Sequence, residues 1–166
     1  MNIEEPKIMA GDILKLSDDR FCKENVCIVS GAGTGIGRAV AVAAAVNNLT
    51  TVGLDINAEE GEKTRLMARD AGGDMVFLKT DLTVDSQIEA AVEKAAGLGR
   101  ICYLANIAGI QHIDPVENFP MEKYDLMQQI MLRAPFYLSK LVIPYMKQDG
   151  DWHGVIANMA SVHAHI

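Results

Sequence analysis

Between a short apolar run, "VCIVS" (26–30), and an alanine-rich one, "GRAVAVAAAVNN" (37–48), stands "SGAGTGIG", Ser30 to Gly37. This stretch constrains the chain more than any other. The apolar run reads as a buried strand and the alanine-rich run as a helix. The fingerprint G-x-G-x-x-G does not fit, because Ile36 occupies its third glycine. The variant G-x-x-x-G-x-G does fit, with Gly31, Gly35 and Gly37. Gly31 permits a tight turn off the strand, Gly35 lets backbone approach a pyrophosphate, and Gly37 lets the helix pack closely. The helix then presents free N–H groups and the positive end of its dipole to phosphates.

The rest of the chain repeats the alternation. "TVGLD" (51–55) reads as a second strand and "NAEEGEKTRLMARDAGG" (57–73) as a helix with a glycine pair suited to a C-cap. "MVFLK" (75–79) is a third strand, then "DSQIEAAVEKAAGLG" (85–99) a helix with Asp85 or Ser86 as N-cap. "ICYLAN" (101–106) is a fourth strand. A long helix over 121–147 follows, and "GVIANMA" (154–160) is a fifth strand, expected to be buried. Strands apolar on both faces and alternating with helices predict an α/β domain, a doubly wound parallel sheet of the Rossmann kind with five strands of a longer sheet. Residues 1–22 read as a lead, either disordered or an arm packing on a neighbouring subunit, and 23–166 as the nucleotide-binding domain.

Asp55 closes the second strand, 18 residues beyond Gly37. An acid there accepts hydrogen bonds from the adenosine ribose hydroxyls and repels a 2′-phosphate, so the expected cofactor is NAD rather than NADP. Arg38 is the one nearby base that argues the other way.

The composition narrows the classes. Net charge is −7 over 166 residues, with basic residues scattered, which disfavours nucleic-acid or anionic-membrane partners. Cys22, Cys27 and Cys102 form no CxxC pair, so free thiols are expected and no metal site. The N-terminal stretch lacks the basic and apolar parts of a signal peptide, and no apolar run reaches about 18–20 residues. A soluble, cytoplasmic protein is the expectation. No G-x-x-x-x-G-K-[ST] occurs, which excludes a P-loop hydrolase, and a flavodoxin-like signalling domain has no need of this glycine turn.

Taken with "ANIAG" and "NMAS", these residues resemble the short-chain dehydrogenase/reductase family from about Lys23 to the last residue. The family's T-G-x-x-x-G-x-G appears with Ser30 for Thr, and its N-N-A-G as Asn106-Ile107-Ala108-Gly109. Its Asp after the third strand, which borders the adenine, matches Asp81 in "KTDLT", and its active-site Ser matches Ser161. The resemblance implies cofactor contacts from Gly31, Gly35, Ile36 and Gly37, from Asp55, Asp81 and Leu82, and from Asn106, Ala108 and Gly109. It implies that Ser161 is catalytic, that the substrate is a small secondary alcohol or ketone, and that the protein forms a homodimer or homotetramer. Within the family, "NIAGIQH" and "MASVHA" look most like D-3-hydroxybutyrate dehydrogenases, in which Gln111 and His163 would lie at the substrate carboxylate. A reductase of 3-oxoacyl thioesters is the competing reading.

Two departures matter. Met131 stands where the family has an Asn thought to bind a relay water, and a thioether cannot replace it. The plainest expectation for Met131 is core packing. The family's general base is a Tyr about a dozen residues beyond the Ser, in Y-x-x-x-K. Tyr103, Tyr124, Tyr137 and Tyr145 all precede Ser161 and none has Lys four residues on. A Lys⁺ and the cationic nicotinamide would lower the phenol from its ordinary pKa near 10. General acid–base catalysis contributes typically about 10²–10⁴-fold, so these 166 residues alone are expected to be nearly inactive. The chain therefore reads as part of a longer enzyme, with a nucleotide-binding or partner-binding relic as the alternative.

Overall fold

A computed structural model describes residues 8–147 and 154–161. Five strands form one wholly parallel sheet: β1 (Asn25–Ser30), β2 (Thr50–Asp55), β3 (Met75–Lys79), β4 (Arg100–Asn106) and β5 (Val155–Asn158), in the order β3-β2-β1-β4-β5. The chain winds outward from β1 to β3 and returns to β4 on the other side of β1. The order therefore reverses between β1 and β4, and in such sheets ligands bind at the carboxyl ends of the strands at that point.

Alternate residues of β1 divide the core. Val26 and Ile28 face a cluster with Ile88 and Val92 of α3 (Asp85–Ala96) and with Leu138 and Val142 of α5 (Ala134–Met146). Cys27 and Val29 face the opposite cluster, with Ala41 and Val42 of α1 (Gly35–Val46) and Ala68 of α2 (Ala58–Asp70). Ile101 and Leu104 of β4 lie on one face although three residues apart. The β1–β4 register skips at Cys102, whose thiol donates to Asn25 Oδ1 at 3.3 Å. That bulge restores the alternation.

Helix ends differ from the sequence expectations for local reasons. α1 starts at Gly35, and Asn48, at φ +69°, ends the helical path. α2 is capped by Asn57, whose side chain accepts from the Glu59 and Glu60 N–H groups. Its C-terminal glycine pair behaves as expected, with Gly72 at φ +87°. α3 does not use Asp85 or Ser86 as N-cap. Val84 holds that position without a side-chain bond, and the Asp85 carboxylate instead accepts from Arg133 at 2.5 and 2.7 Å.

The long helix over 121–147 is not uniform. α4 (Met121–Gln128) buries no side chain, a π-helical turn spans Gln129–Arg133, and α5 then buries Ala134, Leu138, Val142 and Met146 at every fourth position. A π turn adds a residue to the helical circuit and shifts its phase, and such turns cluster at functional sites. β5 is shorter than expected and more exposed, since only β4 pairs with it among the described residues.

Residues 8–22 lie against their own domain. Asn47, just past α1, exchanges hydrogen bonds with the backbone of Leu14 and Leu16, and Lys15 Nζ donates to the Val46 carbonyl at 2.9 Å. A cation at a helix C-terminus complements its dipole. Phe21 packs on Tyr103 with ring centroids 5.6 Å apart.

Candidate active site

The glycine turn is held by contacts that leave no room for side chains. Gly31 adopts φ +71°, and a Cβ there would lie 2.7 Å from Ala108 Cα. A Cβ on Gly37 would lie 1.9 Å from the Gly31 carbonyl oxygen, so helix and turn meet backbone to backbone. Gly35, at φ +55°, has open space where a side chain would stand. The Ser30 hydroxyl accepts from the N–H groups of Ile107 and Ala108 at 3.1 and 3.3 Å, tying the end of β1 to the loop after β4.

Sequence reasoning passed over Gly33, one of the unspecified positions of the motif. Its N–H donates to Asp55 Oδ2 at 2.8 Å, and a Cβ would fall 2.7 Å from that same oxygen. The other Asp55 oxygen accepts from Asn57 N–H at 2.9 Å. The carboxylate is thus fixed by one backbone donor on each oxygen. The signal available in the sequence was a fourth glycine inside the turn.

A cleft of about 430 Å³ opens over these groups. The N-terminus of α1 forms one wall, and no side chain caps it at Thr34. Ile36, 59% exposed, stands on its rim. Asp55 and Ile56 close one end, and Asp81 and Leu82 lie beside them. Asp81 Oδ1 accepts from both the N–H and the hydroxyl of Thr83, at 2.9 and 2.7 Å. Ile107, Ala108 and Gly109 form the far wall.

A second cleft, about 500 Å³, adjoins the first across that wall. Ile107, Ala108, Gly109 and Met159 line both. The π turn divides them, with Ile130 facing the first and Met131 the second. Met131 is therefore not core packing as expected: it is 41% exposed, with its sulphur close to Gly109. Ser161 lines the second cleft with Asn158 and Ala160. Asn106 sits at the seam, its Nδ2 donating to Asn158 Oδ1 at 2.8 Å. Its own Oδ1 is buried and without a hydrogen-bond partner among the described residues.

The structure thus brings Gly31, Gly35, Ile36, Gly37, Asp55, Asp81, Leu82, Ala108 and Gly109 around one cleft. Asn106 and Ser161 belong to its neighbour. Gln111 is exposed on the loop after Gly109 and lines neither cleft. His163 lies outside the described residues.

Two groups that line neither cleft are shifted away from reactivity. Burial pushes the Cys27 thiol up to about 12, so it stays protonated at neutral pH. A hydrogen bond to Glu89, with burial, raises the Tyr137 phenol, the wrong direction for a base. Among the described residues no cluster of His, Cys, Asp or Glu could hold a metal ion, and no helix is long and apolar enough to cross a membrane.

Open sheet, switch point, glycine turn and an acid at the end of β2 are the features of a dinucleotide-binding α/β domain. The sequence model of the short chain dehydrogenase family matches residues 25–166, and the chain belongs to that family, whose members bind nicotinamide cofactors. Its relatives include the uncharacterized oxidoreductase YxjF of Bacillus subtilis, 34% identical over 142 residues, covering 85% of this chain and 54% of that protein. The D-beta-hydroxybutyrate dehydrogenase of Cupriavidus necator is 31% identical over 137 residues, covering 82% and 52%. A metagenomic short-chain oxidoreductase crystallised with NADP superimposes with a TM-score of 0.79 at 26% identity, over 85% of this chain and 64% of that one. A short-chain dehydrogenase/reductase from Burkholderia xenovorans superimposes with a TM-score of 0.80 at 27% identity, over 88% and 60%. The chain spans about half the length of the curated relatives it matches.

Proposed function

We propose that this chain supplies the NAD(H)-binding half, and the substrate-aligning Ser161, of an oxidoreductase that interconverts a secondary alcohol and a ketone. The observation that carries it is Asp55, held at the end of β2 by Gly33 and Asn57 and facing the first cleft. A carboxylate so fixed accepts hydrogen bonds from ribose hydroxyls and repels a 2′-phosphate. Arg38, the base that argued for NADP, instead bonds inward to Gly33, Thr64 and Glu60.

The residues fit a dinucleotide. The Gly35 position leaves open space over the N-terminus of α1 for a pyrophosphate, and Asp81 and Leu82 would flank an adenine. When bound, the nicotinamide supplies the hydride acceptor or donor. Ser161 would hold the substrate oxygen by a hydrogen bond in the second cleft. The substrate class named in the sequence reading, a 3-hydroxy acid such as 3-hydroxybutyrate or a 3-oxoacyl thioester, stays with this proposal. So do a homodimeric or homotetrameric state and a cytoplasmic location.

Titration calorimetry of the purified chain with NAD⁺ and NADP⁺ tests the core of this reading. Tighter binding of NAD⁺, by about tenfold or more, is expected. Equal binding, or tighter NADP⁺ binding, would overturn the cofactor assignment.

A further inference from the structure

Gly33 is gripped from both sides. Its N–H goes to Asp55 Oδ2, and its carbonyl oxygen accepts from Arg38 Nη2. Arg38 lies in the first turn of α1 with its side chain only 5% exposed. Two α2 residues one helical turn apart hold its guanidinium: Glu60 Oε2 pairs with Nη2 at 2.5 Å, and Thr64 Oγ1 accepts from Nε at 3.0 Å. The Thr64 hydroxyl itself reaches back to the Ala32 carbonyl at 2.9 Å. Glu60 is further fixed by Lys63, 2.6 Å from its other oxygen.

We infer that Arg38, clasped by Glu60 and Thr64, is the positioning residue that sets the choice between NAD and NADP. The inference rests on the NAD reading given above. The path is short and made of contacts: α2 holds Arg38, Arg38 holds the Gly33 carbonyl, and the Gly33 N–H aims Asp55. A guanidinium has five donors in a rigid plane, so it can bond Gly33, Thr64 and Glu60 together where an ammonium could not keep that geometry. Loosening the clasp acts twice in the same direction. Asp55 loses its fixed orientation toward the ribose hydroxyls, and a cation beside the turn becomes available to a 2′-phosphate.

The test compares NAD⁺ and NADP⁺ dissociation constants by calorimetry on the 166-residue chain, for the wild type, Glu60→Gln, Thr64→Val and Arg38→Lys. Glu60 is partly exposed and Gln keeps its shape, so that variant folds even where an Arg38 variant does not. The NAD⁺-over-NADP⁺ preference is expected to fall about three- to tenfold in E60Q, less in T64V, and to be only partly kept in R38K. An Asp55→Asn variant sets the floor of the preference. A ratio unchanged within twofold, with only the melting temperature lowered, would make the clasp merely structural and overturn the inference. A wild type without NAD⁺ preference would sink the NAD reading and the inference together, whereas an intact wild-type preference with unresponsive variants sinks the inference alone.

Discussion

The two clefts share a wall and are built in opposite ways. Around the first, several polar groups are tied to protein partners: Ser30 to Ile107 and Ala108, Gly33 to Asp55 and Arg38, and Asp81 to Thr83. Around the second, the lining is largely apolar and exposed, with Met131, Leu132, Phe136 and Met159 and only a few polar groups among them. Ser139 turns its hydroxyl to the carbonyl of Pro135 in its own helix. The difference teaches where specificity resides. The first cleft is lined by the glycine turn and strand ends whose contacts are largely made through backbone atoms. A substrate site made of side chains on β5, α5 and the π turn is defined only in part.

The harshest way to break that comparison is Gly37→Ala. The added methyl would overlap the Gly31 carbonyl, backbone against backbone, so strand and helix must separate. Overpacking of this kind costs about 1–3 kcal/mol or more, hence a fall in melting temperature of roughly 3–12 °C for a chain of this size. Calorimetry should find nucleotide binding abolished. Next comes Asp55→Ala, which leaves the Gly33 N–H without its acceptor and removes the carboxylate proposed to read the ribose. Hydrogen bonds to charged groups are worth about 1.5–3 kcal/mol, so NAD⁺ affinity should drop roughly 10–100-fold while NADP⁺ affinity holds or rises. A parallel loss for both nucleotides would show that the first cleft does not read the ribose through Asp55.

The same division decides what could be read from the sequence. The cradle was legible because glycine spacing, strand and helix lie within a dozen residues, and each glycine has one steric reason to be there. Gly33 escaped because its reason is Asp55, 22 residues away and on another strand. Arg38 was legible as a charge but not as a buried one, since its partners lie on α2. The π turn was invisible: the stretch 121–147 reads as one long helix, and one extra residue in the helical circuit leaves no mark in composition. Its consequence was misjudged with it, because Met131 at normal helical phase would have been ordinary packing. β5 looked buried since its residues are apolar, but burial of a strand depends on neighbours on both sides, and among the described residues it has one.

Met131→Asn sharpens the comparison from the other side. It introduces the residue type that the resemblance to the family implies there, in a wall of the second cleft, without touching the glycine turn. If the clefts are separable, NAD⁺ affinity should stay within about twofold of the wild type, and the melting temperature should move by no more than a few degrees, as partly exposed substitutions do. A larger change in nucleotide affinity would mean that the π turn transmits across Ile130 to the first cleft, and the two sites would have to be treated as one.

The smallest effect is assigned to the ion pair that pins the π turn to α3. Arg133 and Asp85 are both about half exposed, so solvent screens their attraction even though the contact is bidentate. Arg133→Met should lower the melting temperature by only about 1–2 °C at neutral pH. The arginine holds the Asp85 carboxyl below its ordinary value of 3.8 in the folded chain. A depressed carboxylate contributes stability that is fully present above the unfolded value and is lost as pH falls through the folded one. The gap between wild type and R133M should therefore be constant from pH 7 down to about 5, then close below about 4. Melting curves across that range decide it. A gap that shows no decline as pH falls below the ordinary value of 3.8 would show that Arg133 supports the π turn by packing on Tyr137, whose ring centroid lies 5.6 Å from its guanidinium carbon, rather than by charge.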